Sequence, residues 1–261
     1  MGEIEEAQNL YQAVLQAFPK NKRAQQGLAT LKKAKLPIIN KSPPQKTINN
    51  LINLYNQGQL SSVVKEAQAI TRKYPAAFVA WNMLGAAAAQ TEQLDKAIFA
   101  FKKVLAIKPN NPEAYYNMGK VLQEQGKLEE AIEAYRKAFS LKPDYADAYN
   151  NMGNAFKNLG NLDKAIEAYS KALSVQPNYA NAYNNIGNAF QGQGKLEKAI
   201  GFYKQALSLR PDYAEAYYNM GNAFKEQGKL AESIKAYKKA IAIKPDYADA
   251  YNNLGNAHNE L

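Results

Sequence analysis

The clearest chemical pattern in this sequence is carried by asparagines. Asn117, Asn151, Asn185, Asn219 and Asn253 recur every 34 residues. A second row, Asn154, Asn188, Asn222 and Asn256, follows three residues later at the same interval. A third, Asn82, Asn150, Asn184 and Asn252, stands one residue before the places of the first. A side-chain amide carries two N–H donors and a carbonyl acceptor. A regular ladder of amides can therefore pair with the backbone of an extended chain, whatever its side chains. Asparagine is also a mediocre helix former, so two or three in every such segment cost local stability. Two roles are open to the first row: contacting a ligand, or hydrogen-bonding to the adjacent repeat and holding a stack together. The second row is expected to face a ligand. The expected function is peptide binding of modest sequence selectivity, tuned by charges such as Glu113, Lys120, Asp147, Lys157, Glu215, Lys225 and Glu226.

The ladder rides on whole repeated segments. Gly85, Gly119, Gly153, Gly187, Gly221 and Gly255 keep the same 34-residue interval, and the stretch Tyr149 to Phe156 returns as Tyr183 to Phe190 and Tyr217 to Phe224. A fixed period of this length sets the architecture before any local motif does. The repeats are read as 78–111, 112–145, 146–179, 180–213 and 214–247, with a truncated one at 248–261 that holds a first helix only. Each full repeat reads as two helices. The first is expected to be capped by Asp144, Asn178, Asp212 or Asp246, with Asp147, Asn181, Glu215 or Asp249 three residues on, a variant of the capping box. It ends near Gly126, Gly160, Gly194 or Gly228, placed to take the left-handed conformation. The second runs to a proline at 109, 143, 177, 211 or 245.

In the first helix, Tyr149, Met152, Gly153 and Phe156 share a face; in the second, Ala165, Tyr169 and Ala172 do. A glycine within a helix costs about 1 kcal/mol relative to alanine. Six in register imply close helix approach, expected opposite the small residues Ala97, Ala131, Ala165, Ala199 and Ser233. No single hairpin buries both faces, so the repeats must stack. Upstream, 1–34 reads as partial, divergent helices (3–17 and 22–34), 35–45 as a linker bearing Pro37, Pro43 and Pro44, and 46–77 as a divergent repeat.

The order aromatic–x–x–Leu/Met–Gly–x–x–aromatic, then Ala, aromatic, Ala and Pro over 34 residues resembles the tetratricopeptide repeat, strongly over 78–261 and weakly over 3–75. The resemblance implies an all-α solenoid of antiparallel helix hairpins wound into a right-handed superhelix, with the first helices lining a concave groove. It does not by itself imply a function. The asparagine at 151 resembles that in the tetratricopeptide arms of O-linked N-acetylglucosamine transferases. The proline-bearing flank resembles bacterial proteins that join such an arm to a glycosyltransferase or sulfotransferase domain. By that likeness the chain is expected to be the recruitment arm of a larger protein.

Enzyme chemistry is not expected within these residues. The sequence has no cysteine, so neither disulfide staples nor thiolate metal sites can form, which fits a cytoplasmic compartment. The lone histidine, His258, replaces Phe156, Phe190 and Phe224 on a packing face and has no second histidine to share a metal. Gly187 to Lys195 only superficially resembles a phosphate loop, since Gly192 precedes Gln193 and Lys195 precedes Leu196. No catalytic residue, cofactor or metal is therefore expected. The apolar run from Ala76 to Ala89 falls short of the roughly 20 residues of a membrane span. The net charge of +10 leaves weak polyanion binding as an alternative, but Lys108, Lys142, Arg210 and Lys244 sit in last turns of helices, where the macrodipole favours cations. Nucleic acid is not an expected partner. A further alternative is self-association, in which the half-repeats at the two ends complete one another head to tail.

Overall fold

The computed structural model describes residues 2–35 and 42–260, so the middle of the proline-bearing stretch lies outside the described residues. Among the described residues there are fifteen helices and no strand. They fall into two compact units, Met1–Thr91 and Glu92–Leu261.

The first unit holds α1 (Gly2–Ala17), α2 (Lys22–Lys35), α3 (Gln45–Asn56), α4 (Leu60–Lys73) and α5 (Phe78–Gln90). α1 packs on α2. The ring of Tyr11 lies over Gly27, so close that a Cβ there would fall within 2.8 Å of three ring atoms. Helices α3, α4 and α5 pack on one another through Leu51, Val63, Ala67, Ala80 and Leu84, each no more than 2% exposed.

The second unit holds α6 (Leu94–Ile107), α7 (Pro112–Glu124), α8 (Leu128–Leu141), α9 (Ala146–Asn158), α10 (Leu162–Val175), α11 (Ala180–Gly192), α12 (Leu196–Leu209), α13 (Ala214–Glu226), α14 (Leu230–Ile243) and α15 (Ala248–Asn259). From α7 to α14 each packs on its predecessor and its successor, and the first helices of successive repeats also meet: α7 with α9, α9 with α11, α11 with α13, α13 with α15. This is the nearest-neighbour construction of a solenoid. The first helix of a repeat stops where a left-handed residue turns the chain: Gly126, Gly160, Gly194 and Gly228 have φ between 71° and 75°. Glu92 stands at the equivalent place with φ of 58°, the one non-glycine residue with positive φ among those described.

One packing expectation gains a detail and one is corrected. Four of the in-register glycines seat aromatic rings from the second helix of their hairpin. A Cβ on Gly119, Gly153, Gly187 or Gly221 would lie 2.4–2.7 Å from the ring of Tyr135, Tyr169, Tyr203 or Tyr237 respectively. Those four tyrosines are fully buried. Seating a whole ring against the helix backbone requires the missing side chain there, while Ala131, Ala165, Ala199 and Ser233 fill space one turn away on the tyrosine's own helix. The capping box does not form. The residue at the N-cap is the following tyrosine, Tyr145, Tyr179, Tyr213 or Tyr247, and it makes no side-chain cap bond. Turn carbonyls take the first amides instead, as in Ala146 N to Asp144 O at 3.1 Å. At three of these four tyrosines the ring lies under a cation of the preceding turn. Lys142 Nζ lies 4.7 Å from the Tyr145 centroid, Arg210 4.0 Å from Tyr213, and Lys244 4.8 Å from Tyr247.

Candidate binding face

The first helices α7, α9, α11, α13 and α15 set the first and third asparagine rows beside the second, because positions three and four residues apart on a helix are neighbours. The strips do different work. In the first row the amide nitrogen donates back to the preceding repeat. Asn151 reaches the Tyr116 hydroxyl at 3.1 Å, Asn185 the Asn150 carbonyl at 3.0 Å, Asn219 the Asn184 carbonyl at 3.1 Å, and Asn253 the Tyr218 hydroxyl at 3.1 Å. The acceptor is an asparagine where the third row is kept and a tyrosine where it is replaced. Asn117 is half-buried.

The third row supplies those acceptors from inside the structure. Asn150 is 5% exposed and Asn184 0%. Asn184 has no surface left for a ligand. Asn252, on the last helix, is exposed.

The second row is oriented from below. The phenol of Tyr169 donates to the Asn154 carbonyl at 2.8 Å and Tyr237 to Asn222 at 2.7 Å; Tyr203 shares its one proton between Asn188 at 2.8 Å and Gln191 Oε1 at 2.7 Å. Asn154 and Asn222 also accept from Asn185 and Asn253, at 3.3 and 3.0 Å. Burial, the first cause, pushes all three phenols above the usual tyrosine range; Glu226 and Glu215 add to the effect at Tyr203. The phenols therefore stay protonated and keep donating. An amide whose carbonyl is held this way must turn its NH2 to the opposite side. Asn154, Asn188 and Asn222 are half-buried, and their amide nitrogens are not among the buried unpaired atoms. Each thus offers donors to solvent. Asn256, on the last helix, is exposed.

The pattern breaks at one end. Lys120 replaces the second-row asparagine, and Tyr135 donates instead to Gln123 at 3.1 Å. Lys120, Gln123, Glu124, Tyr135, Asn151 and Asn158 line a hollow of about 260 Å³ on this face. The orienting tyrosines were legible in the sequence only as packing residues. The signal for their second role was the constant offset of 15 residues from asparagine to tyrosine: 154 to 169, 188 to 203, 222 to 237.

Stacked two-helix repeats with this register define a tetratricopeptide solenoid, and the sequence comparisons agree. Models described as TPR repeat match residues 85–126, 120–160 and 221–261; models described as tetratricopeptide repeat match 144–212 and 202–235. The crystal structure of MamA protein is 31% identical, over 66% of this chain and 94% of that one, with a TM-score of 0.57. The chain belongs to the tetratricopeptide repeat family. Two more distant structures share the fold. YrrB, described as a TPR protein with an unusual peptide-binding site, is 20% identical over 71% of this chain and 96% of its own, with a TM-score of 0.55. The APC/C hetero-tetramer Cut9–Hcn1 is 16% identical over 98% of this chain and 46% of its own, with a TM-score of 0.64. None of the curated protein sequences matches the chain. Among the described residues no helix is long and apolar enough to cross a membrane, and no group of three or more potential ligands could hold a metal ion.

Proposed function

We propose that the second unit is a non-catalytic scaffold that holds an extended segment of another polypeptide along the face of its first helices. The amide N–H groups of Asn154, Asn188 and Asn222, with Asn256 at the end of the row, donate to carbonyls of the bound backbone. The observation that carries this reading is the tyrosine hydroxyl fixed on each of the first three carbonyls. It preorganises donors at the repeat interval, and preorganised groups lose less freedom on binding. Family membership supports the reading, since tetratricopeptide proteins generally mediate protein–protein contacts. Asn151, Asn185, Asn219 and Asn253 act in it as clasps between repeats, with Asn150 and Asn184 as their buried partners. The wider reading, a cytoplasmic recruitment arm akin to those of O-linked N-acetylglucosamine transferases, rests on the register of Asn151 and on the lack of cysteine.

The test separates donor from acceptor. The triple variant Asn154→Asp, Asn188→Asp, Asn222→Asp keeps an acceptor for each phenol and removes every donor. An array of unrelated extended peptides, screened against wild type and variant with thermal melts alongside, should show retention lost and the melt nearly unchanged. Equal retention by both proteins would remove the second row from the binding site.

A further inference from the structure

One flank of the second unit carries an unfilled aromatic socket. Tyr115, Met118 and Leu122 of α7 and Ala134 of α8 form its apolar floor, in a cavity of about 410 Å³. The repeat register explains why it is open. Repeat 180–213 has Phe202 where this repeat has Ala134, and that ring stacks on Phe190 with centroids 5.3 Å apart and lies 6.3 Å from Tyr183. Leu122 replaces the phenylalanines at 156, 190 and 224. Alanine is the usual residue at the place of Ala134 (Ala100, Ala168, Ala236), so the leucine at 122 is the departure that removes ring volume from this space. Phe202 shows what such a space accepts: a single phenyl ring.

We propose that the socket receives Phe99 of a second molecule of this chain, and that the exchange is reciprocal. Phe99 stands on α6 where the other repeats carry Glu133, Glu167, Gly201 or Lys235, and it is 53% exposed. Lys102, one turn further along α6, lines the socket. The ring and the socket thus share one surface, and a surface carrying both parts of a contact can pair with itself about a twofold axis. The charges fit the same operation. Lys102 and Lys103 flank Phe99, with Lys103 Nζ 5.3 Å from its ring. Glu129, Glu130 and Glu133 edge the socket together with Lys137. Glu133 is held by Arg136 at 2.8 Å, which leaves Glu129 and Glu130 for the incoming lysines. A mixed-charge rim is complementary to its own twofold image, whereas a single-sign rim would repel it. None of these residues belongs to the asparagine rows, so the pairing stands or falls apart from the peptide reading.

Sedimentation equilibrium from low micromolar to near-millimolar concentration tests it. The wild type should show a reversible monomer–dimer equilibrium. Phe99→Glu removes the ring, and Ala134→Phe plugs the socket as Phe202 does. Each should weaken association by at least about tenfold, the scale of losing a central contact, with an unchanged melting temperature reporting intact folding. An equimolar mixture of the two variants regains one ring-in-socket contact and should associate more tightly than either variant alone. A wild type that stays monomeric throughout overturns the proposal. So does a dimer indifferent to both substitutions, or a mixture no tighter than its components. A monomeric wild type that binds a synthetic peptide bearing one phenylalanine between lysines, and loses it in Ala134→Phe, also overturns self-pairing and gives the socket to another protein's side chain.

Discussion

Asn151 and Asn154 are the same residue, three positions apart on one helix, with opposite employment. The first spends its N–H on the preceding repeat and the second accepts a hydrogen bond from its own repeat's tyrosine. The contrast recurs at Asn185 against Asn188 and at Asn219 against Asn222. What separates the strips is distance from the buried ring. A residue over the phenol has its carbonyl taken and its donors turned out. A residue one strip away meets the neighbouring helix, and its donors turn in. A row of identical side chains is therefore no guide to a common role.

The contrast depends on neutral phenols, so alkali should break it most. Tyr135, Tyr169 and Tyr203 are held well above the usual tyrosine range by burial. Unfolded tyrosine ionises near pH 10. Stability is intact below that pH and falls as pH rises above it, because only the unfolded state releases the proton. The slope should be about 1.4 kcal/mol per tyrosine per pH unit once the unfolded phenols have ionised. Phenolate absorbance should lag behind that of a denatured control and then appear together with unfolding.

Gly187→Val attacks the ring's seat. A Cβ there would lie 2.5 Å from Tyr203 Cε1, so overpacking should cost about 3 kcal/mol in a denaturant titration. Loss of less than about 1 kcal/mol would mean that the ring has room to retreat. Asn219→Ala removes a clasp and leaves the carbonyl of fully buried Asn184 without its donor. A cost of about 1–3 kcal/mol is expected, against little change for Asn188→Asp, whose acceptor survives. The smallest change is a gain. Glu92→Gly relieves a left-handed non-glycine residue and should add about 1 kcal/mol, measured as a raised melting temperature; no rise would show that the glutamate side chain offsets the backbone strain.

The hairpin period, the helix-stopping glycines and the buried faces were legible in the sequence, because each follows from local conformational preference repeated in register. The capping box was misread because its spacing is also the spacing of a turn. Asp144 supplies a carbonyl to Ala146 while Tyr145 takes the cap place under Lys142. The glycines were recognised as points of close approach, but the group approaching them was not. Helical pattern shows which residues face inward, and the largest inward side chain, 16 residues downstream, takes the gap.

By itself the sequence determined that this chain is a tetratricopeptide solenoid with asparagine strips along its first helices. It did so because a 34-residue period of apolar and small residues has one efficient way to bury itself. Only the tertiary structure decided which strip binds inward and which presents donors, and that Phe99 and an unfilled socket share a surface. Those outcomes depend on which atoms of different helices come within hydrogen-bond or van der Waals reach, a distance that spacing along the chain can hint at, as the 15-residue offset does, but does not fix.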